Sequence, residues 1–469
     1  MPIWFQSLVV LFLVWIVARV IKRNILALQN FFIPSSLIGG VLLLFIGYQG
    51  AEIIPKSISQ WLNILPGILI NVVFATMFIG HKHPTTKKIW KQAGPMIAFG
   101  NTIAWGMYAL GAGLTLLILQ PVFGASPAFG AILEVSFSGG HGTAAGLGRT
   151  FAQLGWHDTT DIAFGLATLS IIVAVISGIT IINIYNRRAR RVIDRVSMDV
   201  QRRRMIRRGY DLMRFSKDVE SHPRDFIIAG LVIGSAIGAG WLLQQGLSQL
   251  ENALLAPYTS VRVLAYVPLF SLAMFGGLIV HIVLDKLRLL RFVRVRTLQT
   301  LNAIALDLLI ITAIGTMSLS VIEHNFAPFI LLALAGISWI LFAFFVLAPK
   351  FFHKHWFEFG LTDMGQAMGM TATGLLLNRL VDPLNRTGAR ESFAYKQLAY
   401  EPFMGGGILT VFTVVMIGEV GLLPVGIATF IVCLLWLGIG LAMGRRRTRR
   451  RKRRQPRSEE RRVGKECRS

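Results

Sequence analysis

The chain has 469 residues, of which 54% are hydrophobic and 15% charged, with a mean hydropathy of +0.60 and a formal net charge of +25. Soluble domains carry about 25% charged residues, so a soluble enzyme, a secreted disulfide scaffold and a disordered protein are excluded. Nineteen of the 25 net charges come from two stretches, Arg187 to Arg224 and Arg445 to Ser469, which leaves a nearly neutral apolar body and points to an all-α, polytopic membrane protein.

At 1.5 Å per residue, crossing a hydrocarbon core of about 30 Å takes about 20 apolar residues. Runs of that size predict eleven spans, at 3–21, 32–49, 61–80, 95–119, 161–184, 225–246, 262–284, 300–322, 327–348, 402–420 and 423–443. Arg19, Lys22 and Arg23 follow the first run rather than precede it, so it reads as an uncleaved span with its N terminus outside. Cys433 and Cys467 are the only cysteines, too few for a disulfide framework or a cysteine metal site.

Two further stretches, 129–150 and 358–380, are apolar but interrupted by glycines. Cytoplasmic loops are enriched in Lys and Arg. An alternating topology places Lys22 and Arg23, Lys82, Lys87, Lys88 and Lys91, the basic linker, Lys286 to Arg296, and Lys350 and Lys354 on one face, and little beyond Lys56 and Arg262 on the other. That agreement requires both interrupted stretches to leave on the side they entered, as re-entrant hairpins. Non-helical backbone survives at membrane depth where protein or a water-filled cavity satisfies it, which is where solutes pass.

The segment His141 to Leu147 resembles Gly369 to Leu375, offset by 228 residues, and Asn71 and Thr76 have the spacing of Asp307 and Thr312. The expected organisation is an N-terminal transmembrane half, 1–185, with the first hairpin; a basic cytoplasmic linker, 186–224; and a C-terminal half of inverted topology, 225–420, with the second hairpin. An additional helix at 421–444 and a basic tail at 445–469 follow. Inverted repeats with broken helices bind solute at the midplane in secondary transporters.

Ile33-Pro34-Ser-Ser-Leu-Ile-Gly39-Gly40, Ser138-Gly139-Gly140-His141-Gly142-Thr143 and Gly369-Met-Thr371-Ala-Thr373 occur in that order. With these motifs the chain resembles the glutamate:sodium symporter family over roughly residues 3 to 420. Departures are Ala372, where the family usually has proline, the charged Arg379, and the eleventh span. The resemblance implies sodium-coupled uptake of glutamate across the cytoplasmic membrane by alternating access, with sodium as coupling ion and no other cofactor. Expected partners are L-glutamate, sodium and membrane lipid, with a homodimer left open and no nucleic acid. Another carboxylate or amino acid, proton coupling, and an ion channel remain alternatives.

An acidic amino acid needs anion donors, and glycines let backbone amides approach a carboxylate closely. Candidate substrate residues are therefore Ser138, Gly139, Gly140, His141, Gly142 and Thr143 in the first hairpin, and Gln366, Thr371, Thr373 and Arg379 in the second. His141 either bonds substrate or fixes the hairpin by packing. Arg149 and Arg379 each lie six residues beyond a hairpin threonine, and either could engage a carboxylate bidentately or serve as an interfacial or paired charge. Sodium prefers hard oxygens, which makes Asp307, Thr312, Asp363, Asn71 and Thr76 candidate ion ligands. Asp363 has three readings: ion ligand, proton carrier, or partner of Arg379. Glu134 is expected at the outer mouth of the first hairpin.

The basic linker fits a solvated connector or a surface lying on anionic lipid. No zinc motif, phosphate loop or nucleophile triad occurs, so the chain is not expected to be an enzyme. The last 13 residues, Arg457 to Ser469, look like a translated sequencing-adapter oligonucleotide and are expected to have no part in function.

Overall fold

A computed structural model describes residues 2–30, 32–80, 85–189, 222–254 and 264–466, with side chains of the last helix described to Arg445. Most of the basic linker, Lys82 and Arg262 lie outside the described residues.

The described residues form an all-α fold. We number the principal helices α1 (Ile3–Asn24), α2 (Ser35–Ile46), α3 (Lys56–Ala75), α4 (Thr86–Phe123), α5 (Phe129–Phe137), α6 (Gly140–Gln153), α7 (Thr159–Ala189), α8 (Pro223–Leu254), α9 (Leu269–Lys286) and α10 (Val295–Thr316). They continue as α11 (Phe326–Phe351), α12 (Trp356–Gly369), α13 (Thr371–Val381), α14 (Ala389–Tyr400), α15 (Ile408–Glu419) and α16 (Leu422–Glu466).

Nine helices among the described residues are long and apolar enough to cross a membrane: α1, α3, α4, α7, α8, α9, α10, α11 and α16. The runs predicted at 32–49 and 402–420 become the shorter apolar helices α2 and α15, of 12 residues each. The reason is local. Ile33 and Pro34 precede α2 in non-helical conformation, and Pro402 with Gly405, Gly406 and Gly407 keeps Glu401 to Gly407 in turns, so α15 starts only at Ile408. Large apolar side chains cover the exterior, among them Leu117 at 78%, Leu231 at 67% and Leu435 at 60% exposure. An apolar outside of this kind matches a lipid solvent rather than water.

Small residues set the close helix contacts, as lipid-embedded packing favours. Gly39 and Gly40 of α2 rest against Ile311 and Ile314 of α10, and Gly277 of α9 rests against the Ala75 backbone of α3. The middle of α4 is buried from Ala93 to Tyr108. It packs against α5, α11, α12, α14 and α16, while α7 packs against α5, α6, α12 and α13. Both interrupted elements therefore lie between α4 and α7.

Two helices carry a widened π-type turn, Thr115–Leu119 in α4 and Ala343–Leu347 in α11, and both turns run into a proline, Pro121 and Pro349. Proline removes the bond to the carbonyl four residues back and clashes with it, and a widened turn relieves that clash.

Candidate functional site

Each interrupted stretch is a helix, a break and a second helix. The first breaks at Ser138 and Gly139, between α5 and α6, and Gly140 has φ +68°. The second breaks at Met370, between α12 and α13, where φ is 86° and ψ 162°. Around Met370 the chain turns back on itself: Gly374 touches the backbone of Gln366 and Thr362, and Asn378 donates to the Thr362 hydroxyl at 2.9 Å. After the first break, α6 packs more on α3 and α7 than back on α5, with Gly142 against Ile70 and the His141 ring against Phe164.

The two breaks meet. A β-carbon on Gly140 would lie 3.4 Å from Cγ of Met370. Joining them from one side is the segment Glu401 to Gly407, between α14 and α15. Its Gly405 and Gly406 hold φ of +67° and +103°, and both press on the first break. The Thr143 hydroxyl donates to the carbonyls of Gly139 and Gly405, each at 3.1 Å. Glu134 is fully buried beside them, correcting its expected place at an outer mouth. Its carboxylate accepts from the Gly405 amide at 2.8 Å, the Tyr108 hydroxyl at 2.7 Å and the Thr410 hydroxyl at 3.2 Å.

At the other end of the segment, Glu401 reaches the second break. The Thr371 hydroxyl donates to Glu401 Oε1 at 2.5 Å, and the Gln397 amide donates to both Thr371 and Glu401 at 2.6 Å. One turn away, the fully buried Lys396 ammonium donates to Asp363 Oδ1 at 2.7 Å and to Gln366 Oε1 at 2.9 Å, and lies 4.0 Å from the centre of the Tyr400 ring. Gly100 of α4 makes room for it, because a β-carbon there would sit 2.5 Å from Lys396 Cε. Asp363 thus pairs with Lys396, and the Arg379 pairing weighed from sequence is replaced by this one. Arg379 lies half-buried in the last turn of α13. Beyond it Asp382 anchors the turn into α14, accepting from the amides of Arg386 and Thr387 and from the Thr387 hydroxyl. Burial pushes this carboxyl up, but those hydrogen bonds and Arg390 outweigh it and hold it below the usual range.

The substrate candidates divide in the same way. Ser138, Gly139, Gly140 and Thr143 surround the first break; Gln366, Thr371 and Thr373 surround the second, Thr373 donating to the Gly369 carbonyl at 2.7 Å. Gly142 turns to Ile70, and His141 is directed away from the break into α7, with Nε2 2.9 Å from the Thr168 hydroxyl. The five ion candidates do not form one cluster. Asp307 accepts from Arg19 and from the Trp15 indole of α1, both at 3.3 Å. Thr312 bonds back to the Leu308 carbonyl, Asn71 to that of Gly67, and Thr76 accepts from Asn302 at 2.6 Å. Asp363 lies apart from all of these, with Lys396.

A family model described as sodium/glutamate symporter matches residues 4–356, about three quarters of the chain. The chain belongs to the sodium/glutamate symporter family. Its members are transporters rather than enzymes, which accords with a polytopic helical architecture. In this symporter-family chain the match includes the first break and ends at Trp356, the first residue of α12. The second break and the Glu401 to Gly407 segment lie beyond it. No curated protein matches the chain.

Lys396, Gln397 and Glu401 fall in 381–401, a polar stretch between predicted elements, and Gly405 to Gly407 fall inside the run predicted as a span at 402–420, so neither stood out as part of a site. One signal was present. Ser392, Phe393, Lys396, Gln397 and Tyr400 recur at helical spacing, and they are the buried face of α14.

Proposed function

We propose that this chain is a secondary active transporter that couples inward sodium movement to glutamate uptake across the cytoplasmic membrane. The observation that carries the proposal is the meeting of two helix breaks, at Gly140 and Met370, within a buried polar cluster in a chain of this family. Broken backbone at such a point supplies amides and carbonyls that a continuous helix keeps for itself, and these suit a substrate with two carboxylates and an ammonium group. Ser138, Gly139, Gly140, Thr143 and Thr371 would line the substrate path, with Arg379 offering a guanidinium beyond the second break.

The two halves act as inverted repeats, each with a re-entrant hairpin, and the N terminus lies outside with the linker inside. Four features support that arrangement. The widened turns begin at Thr115 and Ala343, the same 228-residue offset found between the motifs, and Pro121 and Pro349 keep it too. Pro34 precedes α2 as Pro268 precedes α9. The packing of α2 on α10 has its counterpart in α9 on α3. Basic residues collect on one side of the proposed topology.

Uptake of labelled L-glutamate into proteoliposomes with and without an inward sodium gradient tests this function. Concentrative uptake that needs the gradient is expected. Uptake indifferent to sodium, or flux without accumulation, would remove sodium coupling or active transport respectively.

A further inference from the structure

We propose that Glu401, Thr371 and Gln397 form a sodium site at the second break, a deeper statement of the sodium-coupled reading on which it rests.

The buried carboxylates differ in what already faces them. Asp363 has the Lys396 ammonium at 2.7 Å, with Gln366 on the same nitrogen. In effect Lys396 is a tethered cation in that oxygen cluster. Asp307 has Arg19 at 3.3 Å. Glu134 accepts from one amide and two hydroxyls. Glu401 forms no ion pair among the described residues, the Lys396 charge reaching it only from beyond ion-pair distance, and it is half-buried beside the second break.

The Gln397 amide points to a cation there. Its nitrogen lies 2.6 Å from both Thr371 Oγ1 and Glu401 Oε1. Its oxygen has no hydrogen-bond partner, although the residue is only 6% exposed. An unsatisfied buried acceptor costs about 1–3 kcal/mol. Turning the amide over would set its oxygen against the Glu401 carboxylate, with the single hydrogen of the Thr371 hydroxyl to share between them, an arrangement that a cation among the three oxygens relieves. With a cation, the same turn yields a carboxylate, a hydroxyl and an amide oxygen converging on one point, the ligand types hard cations take at about 2.3–2.6 Å. Carbonyls at the break can complete the shell. Because Thr371 opens α13 at the contact with Gly140, sodium bound here would hold the second break in place beside the substrate path, and each ligand would favour the other.

The test is direct binding of ²²Na⁺ to the purified full-length protein by scintillation proximity. Wild type should bind saturably. Glu401→Gln should weaken sodium affinity at least tenfold while the protein stays monodisperse. Gln397→Leu, which keeps the carboxylate, should weaken it severalfold and decides the matter if the first variant does not fold. Wild-type sodium affinity in a folded variant of either kind overturns this site and leaves sodium coupling standing. Absence of saturable sodium binding in wild type overturns both.

Discussion

Gly140 and Met370 touch where the two helix breaks meet, the β-carbon position of the first 3.4 Å from Cγ of the second. Both hold positive φ, 68° and 86°. For glycine this is free of steric cost. For methionine, with ψ at 162°, it is a conformation that only glycine adopts readily and costs about 1–3 kcal/mol. Packing on both sides maintains it, and the strain sits where the two broken helices meet.

Gly140→Val is expected to abolish glutamate uptake while the protein still inserts and can be purified. A side chain in the left-handed region costs about 1–2 kcal/mol, and the added methyls would push on Met370. Uptake in proteoliposomes reconstituted with equal amounts of each protein is the check. Wild-type kinetics would make the break a packing feature only.

Lys396→Met leaves Asp363 buried without a counter-charge, and breaking such a pair costs about 3–5 kcal/mol. Combining it with Asp363→Asn should recover most of that loss. Thermal unfolding midpoints in detergent for the wild type, both single variants and the double variant complete the cycle. A double variant as unstable as Lys396→Met would show that the ammonium acts mainly through Tyr400 and Phe393.

Glu134→Gln sets an amide nitrogen against one of the donors from Tyr108, Thr410 and Gly405. An unsatisfied buried group of that sort costs about 1–3 kcal/mol. The segment Glu401 to Gly407 should loosen, and limited proteolysis followed by mass spectrometry would find faster cleavage there. Cleavage at the wild-type rate would mean that Thr143 alone holds the segment.

Arg379→Ala should raise the apparent glutamate constant about tenfold, the scale of a hydrogen bond to a charged group, with little change in maximal rate. Concentration dependence of uptake measures it. An unchanged constant would assign the guanidinium to the fold around Arg390 and Asn378.

What could be read from the chain alone was whatever depends on local runs. Apolar length announced the spans, and among the described residues nine of them stand as helices long enough to cross a membrane. Glycine spacing announced the breaks: Gly139 and Gly140 mark one, and the motif from Gly369 to Thr373 marks the other, although the residue that takes the break there is the strained Met370 rather than a glycine. Charge distribution suggested a topology, and motif order suggested the family that the comparison then established.

Partnership was decided only in three dimensions. Hydropathy treats Asp307 and Asp363 alike, as costly charges in apolar surroundings. Tertiary packing gives the first Arg19 and the second Lys396, residues 288 and 33 positions away along the chain. Glu134 and Glu401 differ for the same reason: one is enclosed by Tyr108, Thr410 and Gly405, and the other accepts from Thr371 and Gln397 with the Lys396 charge beyond ion-pair distance. The energy of a buried charge depends on what surrounds it within a few ångströms. Neighbours at that range come from helices far apart in sequence, so the apolar pattern could specify the helices while only their packing selects which polar groups meet.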